Sequence, residues 1–379
     1  MNECKISSNT VPTVIVVSGD PGGANAAAPV IIRLINDDRV KVMAFAYREA
    51  CNLWKEKNIP FTQLPDNTTV LSASEILSKC NAKLLFTSTS WNQQEFEKTF
   101  LLVARRLSIP SIAIIDYPSN YTIRFSDITG NPVYLPDKIA VMDATTRDEM
   151  VSEGFEPDII MVTGQPAYDD LGSWKSAFST EKREALRKKL GVNPGELLVV
   201  FASEPLFSGT PSRPSYPGYT KKEVLHSVIS ALDEIQRTCN QKITLIIRPH
   251  PRENPNEFAG ELGERIHIII STTGNSREII MAADLVTGMT TALLVEACYL
   301  GCIVVSVQPG LIQKDILPTN RLGYSYPIYS VENVTPVLRT LLLDSHRRNK
   351  VYENISKIRS DGNATGRVVQ QIYVMSGII

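Results

Sequence analysis

The chain alternates short runs of β-branched and other apolar residues with longer amphipathic segments, and this pattern runs through both halves of the sequence. Such alternation is typical of βαβ units, in which helices connect the parallel strands of a sheet. In the first half the runs predict strands at residues 13–18, 41–46, 83–87, 111–115, 138–142 and 159–163. In the second half they predict strands at residues 197–202, 243–248, 266–270, 285–287 and 303–307. We therefore expect an α/β protein with two Rossmann-like domains.

The length of 379 residues also favours two domains over one. The boundary is predicted between Gly164 and Gly195, where Gly-Gln-Pro, a charged helix and Asn-Pro-Gly follow one another. We expect an N-terminal domain over residues 1–170, a linker over 171–194 and a C-terminal domain over 195–363. The final helix, within residues 364–379, is predicted to pack back onto the N-terminal domain.

The composition is that of a globular protein and argues against several classes of partner. Hydrophobic residues make up 43% of the chain and charged residues 21%, with a net charge of −1. A nucleic-acid partner is not expected, because it would favour a basic excess. The six cysteines form no Cys-x-x-Cys pair and have no histidine cluster beside them, so a metal site is not expected either.

The cellular location is predicted from three features. The N-terminus lacks a charged segment followed by a long apolar run, so we expect no signal peptide. No apolar stretch reaches the roughly 18 residues that a membrane-spanning helix needs. Scattered cysteines in mostly apolar surroundings indicate reduced thiols. We expect a cytoplasmic protein, with peripheral contact at the inner face of the membrane as the alternative.

A segment rich in Gly, Pro and Ser covers residues 205–219, directly after the predicted strand at 197–202. Its composition and its position predict a mobile loop over a ligand site. Ser203 and Glu204 lie between the strand and this loop. Because ligands of open α/β sheets bind at the carboxyl ends of strands, we count both residues as candidate binding residues.

The predicted strand at 243–248 ends in Arg248-Pro249-His250-Pro251-Arg252. The prolines restrict the backbone around His250 and remove backbone donors. A histidine held in this way can donate a hydrogen bond to a phosphate oxygen, and Arg248 offers a cation to the same anion. The alternative is that a backbone hydrogen bond fixes His250 in a purely structural role.

The turn Gly288-Met289-Thr290-Thr291 leads from a predicted strand into a predicted helix. Backbone N–H groups at a helix N-terminus and threonine hydroxyls bind phosphate, although helix capping alone explains one of the two threonines. Glu296 lies in the otherwise apolar helix that follows. A buried carboxylate needs a partner, and the two hydroxyls of a ribose would provide one.

In the first half, Ser18-Gly19-Asp20-Pro21-Gly22-Gly23 follows the first predicted strand. Gly22 and Gly23 allow the backbone to approach a ligand closely, and the alternative is a tight turn capped by Asp20. Asp116 follows the apolar run Ile-Ala-Ile-Ile, where burial can raise the pKa of a carboxylate and suit it to act as a general base. The alternative for Asp116 is a turn before a proline. Asp116 and Asp20 are the catalytic candidates.

Several of these motifs together resemble a known superfamily. They are Arg248-Pro249-His250-Pro251, Thr290-Thr291, the run at residues 296–304 and the ending at residues 361–367. They resemble the C-terminal half of GT-B-fold nucleotide-sugar enzymes. Among these enzymes, they resemble the HP and paired-hydroxyl motifs of CDP-glycerol glycerophosphotransferases and of bacterial sialyl- and Kdo-transferases. Residues 163–170 resemble the domain-crossing segment of the superfamily, which includes the non-hydrolysing UDP-GlcNAc 2-epimerases.

The resemblance implies two Rossmann-like domains that face each other across a cleft. It implies that His250 contacts the phosphate of a nucleotide-activated sugar donor, together with Thr290 and Thr291, and that Glu296 contacts the ribose. The function expected is metal-independent transfer of a sugar, or of a similar group, to the hydroxyl of a glycan or other acceptor in cell-surface glycan synthesis. No metal or other cofactor is required, because helix N-termini and cations can stabilise the leaving phosphate.

Two other functions remain open. A non-hydrolysing nucleotide-sugar 2-epimerase needs acid and base groups on both faces of the sugar, and hence several carboxylates. The epimerases carry an Arg-Pro-Glu-like run after their first strand, where this chain has Asp20-Pro21-Gly22. The other alternative is a protein of the same fold that binds a nucleotide sugar without converting it.

Overall fold

The computed structural model describes residues 11–90, 94–206, 216–239, 241–260, 263–358 and 360–379. The chain divides into two units. One unit comprises the chain up to Asp169 together with Asp361–Ile379, and the other comprises Asp170–Ser360. Much of the predicted mobile loop, residues 207–215, lies outside the described residues.

The first unit contains a sheet of seven parallel strands. In chain order they are β1 Thr13–Ser18, β2 Lys41–Ala46, β3 Thr62–Gln63, β4 Ala82–Thr87, β5 Ser111–Ile114, β6 Lys138–Val141 and β7 Ile160–Val162. Their order across the sheet is β3-β2-β1-β4-β5-β6-β7. All six residues of β1 are buried. A central parallel strand is covered on both faces, which explains why β1 is an almost continuous apolar run.

Helices follow the strands of the first unit: α1 Pro21–Ile35, α2 Glu49–Glu56, α3 Val70–Lys79, α4 Phe96–Arg106, α5 Tyr121–Phe125 and α6 Ala144–Ser152. The first helix begins with Pro21, a residue whose fixed φ suits the first helical turn. Its inner face is made of alanines and of Val30, Ile31 and Leu34, all of which are buried. Small side chains on this face let α1 lie close to the sheet.

The second unit contains a sheet of six parallel strands. They are β8 Leu197–Ala202, β9 Ile243–Arg248, β10 His267–Ile270, β11 Leu285–Gly288, β12 Val304–Val307 and β13 Tyr326–Ile328. Their order across the sheet is β10-β9-β8-β11-β12-β13. The prediction of an α/β protein with two parallel sheets is confirmed.

The helices of the second unit are α7 Leu171–Ala177, α8 Thr180–Lys189, α9 Lys221–Cys239, α10 Ser276–Ala282, α11 Ala292–Leu300, α12 Pro318–Arg321, α13 Val334–Leu343 and α14 Ser345–Ile355. The first two lie in the interval 171–194, where a linker was predicted. Arg183 and Arg187 of α8 form ion pairs with Asp284 at 2.8 and 3.1 Å. These contacts fix α8 to the segment that leads into β11.

The last helix, α15 Ala364–Met375, belongs to the first unit. Its residues Val368, Val369 and Ile372 are buried in the same core as the inner face of α1. Asp169 accepts hydrogen bonds from the backbone N–H groups of Ala364 and Thr365 at 3.0 and 2.7 Å, and so satisfies two free donors at the start of α15. Within the described residues, no helix has the length and apolar character needed to cross a membrane.

Candidate functional site

Each sheet has one position where the strand order reverses. In the first sheet this position lies between β1 and β4, and in the second it lies between β8 and β11. At this position the connections that follow the two neighbouring strands run to opposite faces of the sheet. A crevice therefore forms at the carboxyl ends of these two strands, and ligands of open α/β sheets bind in it. We therefore expect a ligand-binding site among the residues that follow β1, β4, β8 and β11.

In the first unit, the buried carboxylate of Glu97 lies at the carboxyl ends of β1 and β4. Its Oε1 accepts the N–H of Gly19 at 3.0 Å and the hydroxyls of Ser88 and Ser90, each at 2.9 Å. Its Oε2 accepts the phenol of Tyr47. Burial raises the pKa of Glu97. The sequence analysis missed this residue, although a glutamate on the buried face of the amphipathic helix α4 was a signal for it.

Gly22 and Gly23 provide space for side chains of the protein itself. A Cβ on Gly22 would lie 2.1 Å from Oδ2 of Asp116, and a Cβ on Gly23 would lie 2.5 Å from Cβ of Ser88. The sequence analysis expected these glycines to let the backbone approach a ligand. In the structure they let α1 approach Asp116 and the segment after β4, so packing within the unit already explains both of them.

Asp116 follows β5 but does not have the apolar surroundings that were predicted for it. Its Oδ1 lies 2.7 Å from Nη1 of Arg124, and Arg124 is only 4% exposed. The same nitrogen also donates to the hydroxyl of Thr89 at 2.8 Å. Asp116 is therefore an ion-paired carboxylate next to Gly22.

Asp20 is buried at the residue before α1, and its side chain makes no capping hydrogen bond to that helix. Its Oδ1 lies 3.0 Å from Nη1 of Arg48, the residue before α2. The capping role offered as an alternative is therefore not what the structure has. The first unit brings Asp20, Gly22, Gly23 and Asp116 to the same edge of its sheet, with Glu97 beneath the turn that carries Asp20.

In the second unit, Glu204 and Thr290 meet across the position where the strand order reverses. Oε1 of Glu204 accepts the backbone N–H of Thr290 at 2.5 Å and its hydroxyl at 3.0 Å. Burial, together with the negative charge of Glu253, raises the pKa of Glu204 to about 7, although the bonds from Thr290 act in the opposite direction. A carboxylate thus occupies two of the donors that the sequence analysis assigned to a phosphate.

Beside this pair, Glu253 organises the segment that carries His250. Its carboxylate accepts the backbone N–H of His250 at 2.7 Å and the hydroxyl of Ser203 at 3.0 Å. It also forms an ion pair with Lys221 of α9 at 2.8 Å. Glu253 and Lys221 were not predicted, because their partners are distant in sequence. Ser203, a predicted binding residue, is buried and donates to a protein carboxylate.

The imidazole of His250 is half-buried and neutral. Burial and the charge of Arg252 lower its pKa to about 4. Its Nδ1 accepts the backbone N–H of Arg252 at 3.1 Å, so the ring proton of the neutral form lies on Nε2. The backbone hydrogen bond that the sequence analysis offered as a structural alternative is present. The same bond leaves Nε2–H as the group with which His250 can donate to an anion.

Arg248 binds the connection between β10 and α10. Its guanidinium donates to the carbonyl oxygens of Ser271, Thr273 and Gly274 at 2.9, 2.7 and 2.9 Å. Its Nε donates to the hydroxyl of Ser276 at 3.1 Å. The prediction that Arg248 offers its charge to a phosphate does not agree with this geometry, because these bonds direct the guanidinium to backbone carbonyls.

The turn before α11 is held mainly by packing. Met289 is fully buried in the core, so its side chain cannot reach a ligand. A Cβ on Gly288 would lie 2.5 Å from the carbonyl oxygen of Ala202, which means that the close approach of β11 and β8 requires this glycine. Thr291 is the N-cap of α11, and its hydroxyl accepts the N–H of Leu293 at 3.5 Å. Helix capping, which the sequence analysis gave as the alternative for one of the two threonines, therefore explains Thr291.

Glu296 of α11 has a protein partner. Nε of Arg277 donates to its Oε2 at 2.8 Å, and Nη1 of the same arginine lies 2.8 Å from Asp170. The buried carboxylate was predicted to need a partner, and Arg277 of α10 is one. The partner of Glu296 was not foreseen, because 19 residues separate the two side chains along the chain.

Across the described ranges, no three or more His, Cys, Asp or Glu side chains are grouped so that they could hold a metal ion. The groups described above are carboxylates, hydroxyls, a phenol, backbone N–H groups, arginine and lysine cations and one neutral imidazole. Such groups bind anions and transfer protons.

No protein-family model matches the chain, and no curated protein matches it. Solved structures do. UDP-GlcNAc 2-epimerase from Neisseria meningitidis, bound to UDP-GlcNAc, has a TM-score of 0.68 at 14% identity and covers 96% of this chain and 100% of its own. MnaA of S. aureus with UDP has a TM-score of 0.71 at 14% identity, with 97% and 98% covered. HepE of Anabaena, with UDP and glucose, has a TM-score of 0.66 at 15% identity, with 97% and 100% covered.

This likeness establishes the fold alone, which is the GT-B-like fold with two parallel α/β sheets. The closer resemblance to CDP-glycerol glycerophosphotransferases and to sialyl- and Kdo-transferases is not supported. The prediction of a glycosyltransferase is wrong, because the matched structures include several UDP-GlcNAc 2-epimerases and these are not glycosyltransferases. The motifs used for that prediction do not distinguish transfer from epimerisation.

Proposed function

We propose that this protein is a nucleotide-sugar 2-epimerase that acts on a UDP-linked N-acetylhexosamine. The observation that carries the proposal is the match to UDP-GlcNAc 2-epimerase structures along 96–97% of the chain. A match of this extent includes both units and their crossing points. An epimerase also needs no acceptor, so the acceptor that was expected for a transferase has no place in this proposal.

The second unit supplies the groups for the nucleotide. Nε2–H of His250 is a neutral donor at the carboxyl end of β9. The N-terminal end of α11 adds backbone N–H groups and the positive end of the helix dipole for the diphosphate. Glu296, whose Oε2 accepts Nε of Arg277, is the carboxylate to which we assign the ribose hydroxyls. In this proposal the diphosphate is held by these donors and the ribose by Glu296.

The first unit supplies carboxylates for the proton transfers. Inversion at C2 of the sugar requires one group to remove the C2 proton, while the electron pair forms a C1–C2 double bond and the C1–O bond to UDP breaks. A group on the other face then returns a proton to C2 as UDP adds back to C1. Asp116 and Asp20 lie at the same edge of the sheet and are held by ion pairs with Arg124 and Arg48. We assign the proton transfers to these two aspartates. Over the full cycle the C2–H bond and the C1–O bond are each broken and remade, so the sugar is neither oxidised nor reduced in these steps.

The proposal is tested with UDP-GlcNAc in D₂O, followed by ¹H NMR. We expect the C2 epimer to appear and the C2–H signal to decline in both epimers, since solvent deuterium replaces the proton. Asp116→Asn and Asp20→Asn should each lower the rate by at least ~100-fold. Asp148→Asn, whose side chain is 66% exposed on α6, is the matched control and should retain the wild-type rate.

A second candidate function has one observation in its favour. Both proposed bases are ion-paired with arginines whose side chains are only 3% and 9% exposed, as in a site that binds but does not react. The candidate is a nucleotide-sugar-binding protein without turnover. Thermal stabilisation by UDP-GlcNAc with no deuterium at C2 would select it over the epimerase. No stabilisation by any UDP-, CMP-, GDP- or CDP-activated sugar would overturn both.

A further inference from the structure

Glu204 accepts hydrogen bonds from Thr290 at the position between β8 and β11 where the strand order of the second sheet reverses. Oε1 of Glu204 accepts the backbone N–H of Thr290 at 2.5 Å. The hydroxyl of Thr290 lies 3.0 Å from Oε1 and 3.1 Å from Oε2 of Glu204. Thr290 is 8% exposed, so this carboxylate is not bound on an open surface. A carboxylate with these contacts binds as an anionic ligand would bind, since the N–H and O–H donors recognise any anion of suitable size.

The surroundings of Glu204 disfavour its negative charge. Burial is the main cause that raises its pKa to about 7, and Glu253 adds like-charge repulsion. A second anion brought to Thr290 would meet the ionised carboxylate at short range, and two negative charges on the same donors repel each other. Protonation removes both the repulsion and most of the competition for the donors.

We propose that Glu204 competes with the phosphate of the ligand for the N–H and hydroxyl of Thr290, so that the ligand binds to the form with Glu204 neutral or displaced. The inference rests on the proposed nucleotide-sugar function for the nature of the ligand. It goes beyond that function by making Glu204 the residue that sets the affinity of the site and its dependence on pH.

Other charged and titratable groups near Glu204 come from several elements. Glu253, after β9, is ion-paired with Lys221 of α9 at 2.8 Å. The pKa of Tyr219, just before α9, is raised by its burial and by the charge of Glu204, so this phenol stays neutral. His250 also stays neutral above pH 6, because its pKa is about 4. Among Glu204, Tyr219 and His250, Glu204 is therefore the group whose charge changes between pH 6 and 8.

The expected size of the effect follows from the pKa. With a pKa of about 7, roughly one Glu204 in ten is neutral at pH 8, whereas nearly all are neutral at pH 5.5. If only the neutral form is competent, the apparent affinity is reduced in proportion to its population, which is about tenfold at pH 8. The affinity for the ligand should thus fall by about tenfold from pH 5.5 to pH 8.

The experiment measures the affinity of the full chain for UDP-GlcNAc by calorimetry at pH 5.5, 7 and 8. The charge of its diphosphate diester is constant in this range, so the ligand does not contribute to the profile. Glu204→Gln and Glu204→Ala should bind about tenfold more tightly than the wild type at pH 8, and their affinities should no longer depend on pH. Glu257→Gln, which removes a 54% exposed carboxylate that also binds Lys221, should retain the wild-type profile.

Weaker binding by both Glu204 variants, or an unchanged pH profile, would overturn the proposal. Sulfate provides a second probe that does not depend on the nucleotide, and its effect is followed as a shift in melting temperature. We expect sulfate to stabilise the wild type more at pH 5.5 than at pH 8, and to stabilise Glu204→Gln equally at both. If sulfate gives these shifts but UDP-GlcNAc does not bind, the nucleotide-sugar ligand is wrong, and the competition between Glu204 and an anion for Thr290 still stands. Equal sulfate shifts in the wild type and the variant at both pH values would refute it.

Discussion

Glu97 and Glu204 are both carboxylates at the carboxyl end of a sheet, but their surroundings differ. Glu97 accepts hydrogen bonds from Gly19, Ser88, Ser90 and Tyr47, all within the first unit. Through Gly19 it holds the turn that carries the proposed base Asp20. Glu204 accepts the backbone N–H and the hydroxyl of Thr290, which belongs to the segment before α11. The first carboxylate is built into the fold, and the second can exchange its partner for a ligand.

The role of Glu97 predicts a large loss of stability for Glu97→Ala. Removing the carboxylate leaves several buried donors without an acceptor, and each costs about 1–3 kcal/mol, so we expect a loss of about 3 kcal/mol in the free energy of unfolding. Urea unfolding measures it. Glu75→Ala, which removes a 66% exposed glutamate paired with Lys79, should leave the free energy of unfolding close to the wild-type value, because solvent screens an exposed ion pair. Equal losses in the two variants would contradict this role for Glu97.

Sequence reasoning at the residue scale located positions better than partners. Residues placed after strands, such as Asp116, Glu204 and His250, do lie at the carboxyl edges of their sheets. The ion pairs of Asp116 with Arg124 and of Glu296 with Arg277 were not predicted. A position after a strand follows from local periodicity, whereas a partner depends on how several elements pack together.

At the scale of elements, the central strands were the easiest to predict. The predictions at 13–18, 41–46 and 243–248 agree with β1, β2 and β9 at both ends. The strands missed were β3 Thr62–Gln63 and β13 Tyr326–Ile328, which lie at the edges of their sheets. Edge strands are exposed on one side, so short segments with polar residues or proline are sufficient, and such segments carry no apolar run to detect.

The close approach of α1 to Asp116, which follows β5, predicts the effect of adding one methyl group at Gly22. Gly22→Ala would place a Cβ 2.1 Å from Oδ2 of Asp116, so either α1 or the Asp116–Arg124 ion pair must shift. We expect a loss of about 1–3 kcal/mol, measured by urea unfolding, as for other overpacked sites.

Gly172→Ala, in α7, is the matched control for Gly22→Ala. A Cβ on Gly172 would have no heavy atom within 4 Å. The substitution should raise stability by up to about 1 kcal/mol, because alanine favours a helix more than glycine does. If Gly22→Ala were also neutral or stabilising, the close packing of α1 against Asp116 would be wrong.

At the scale of the whole molecule, the chain crosses between its two units twice, at Asp169–Asp170 and at Ser360–Asp361. The two aspartates at the first crossing have different partners. Asp169 binds the N-terminal end of α15 in the first unit, and Asp170 binds Arg277 in the second. Adjacent residues therefore anchor the crossing segment to each unit, and the Asp170–Arg277 pair continues to Glu296, the proposed ribose ligand.

The anchoring by Asp169 predicts a local effect of Asp169→Ala. The substitution removes the acceptor for two N–H groups at the start of α15 and should cost about 1 kcal/mol, as for the loss of a helix cap. Hydrogen exchange should accelerate in α15. Asp344→Ala, which removes the cap of α14, is the reciprocal control and should accelerate exchange in α14 alone. Unchanged exchange in α15 would show that Asp169 does not hold this helix.

The sequence by itself determined that this chain forms two parallel α/β sheets and which residues lie at the ends of their strands. Both follow from periodicity within short segments, because burial of an apolar run is decided by neighbouring residues. Only the tertiary structure decided that Glu97 lies beneath the β1–α1 turn, 78 residues from Gly19, and that Glu204 binds Thr290, 86 residues away. The energy of a buried carboxylate depends on donors that come from other elements, and no local pattern records which donors these will be.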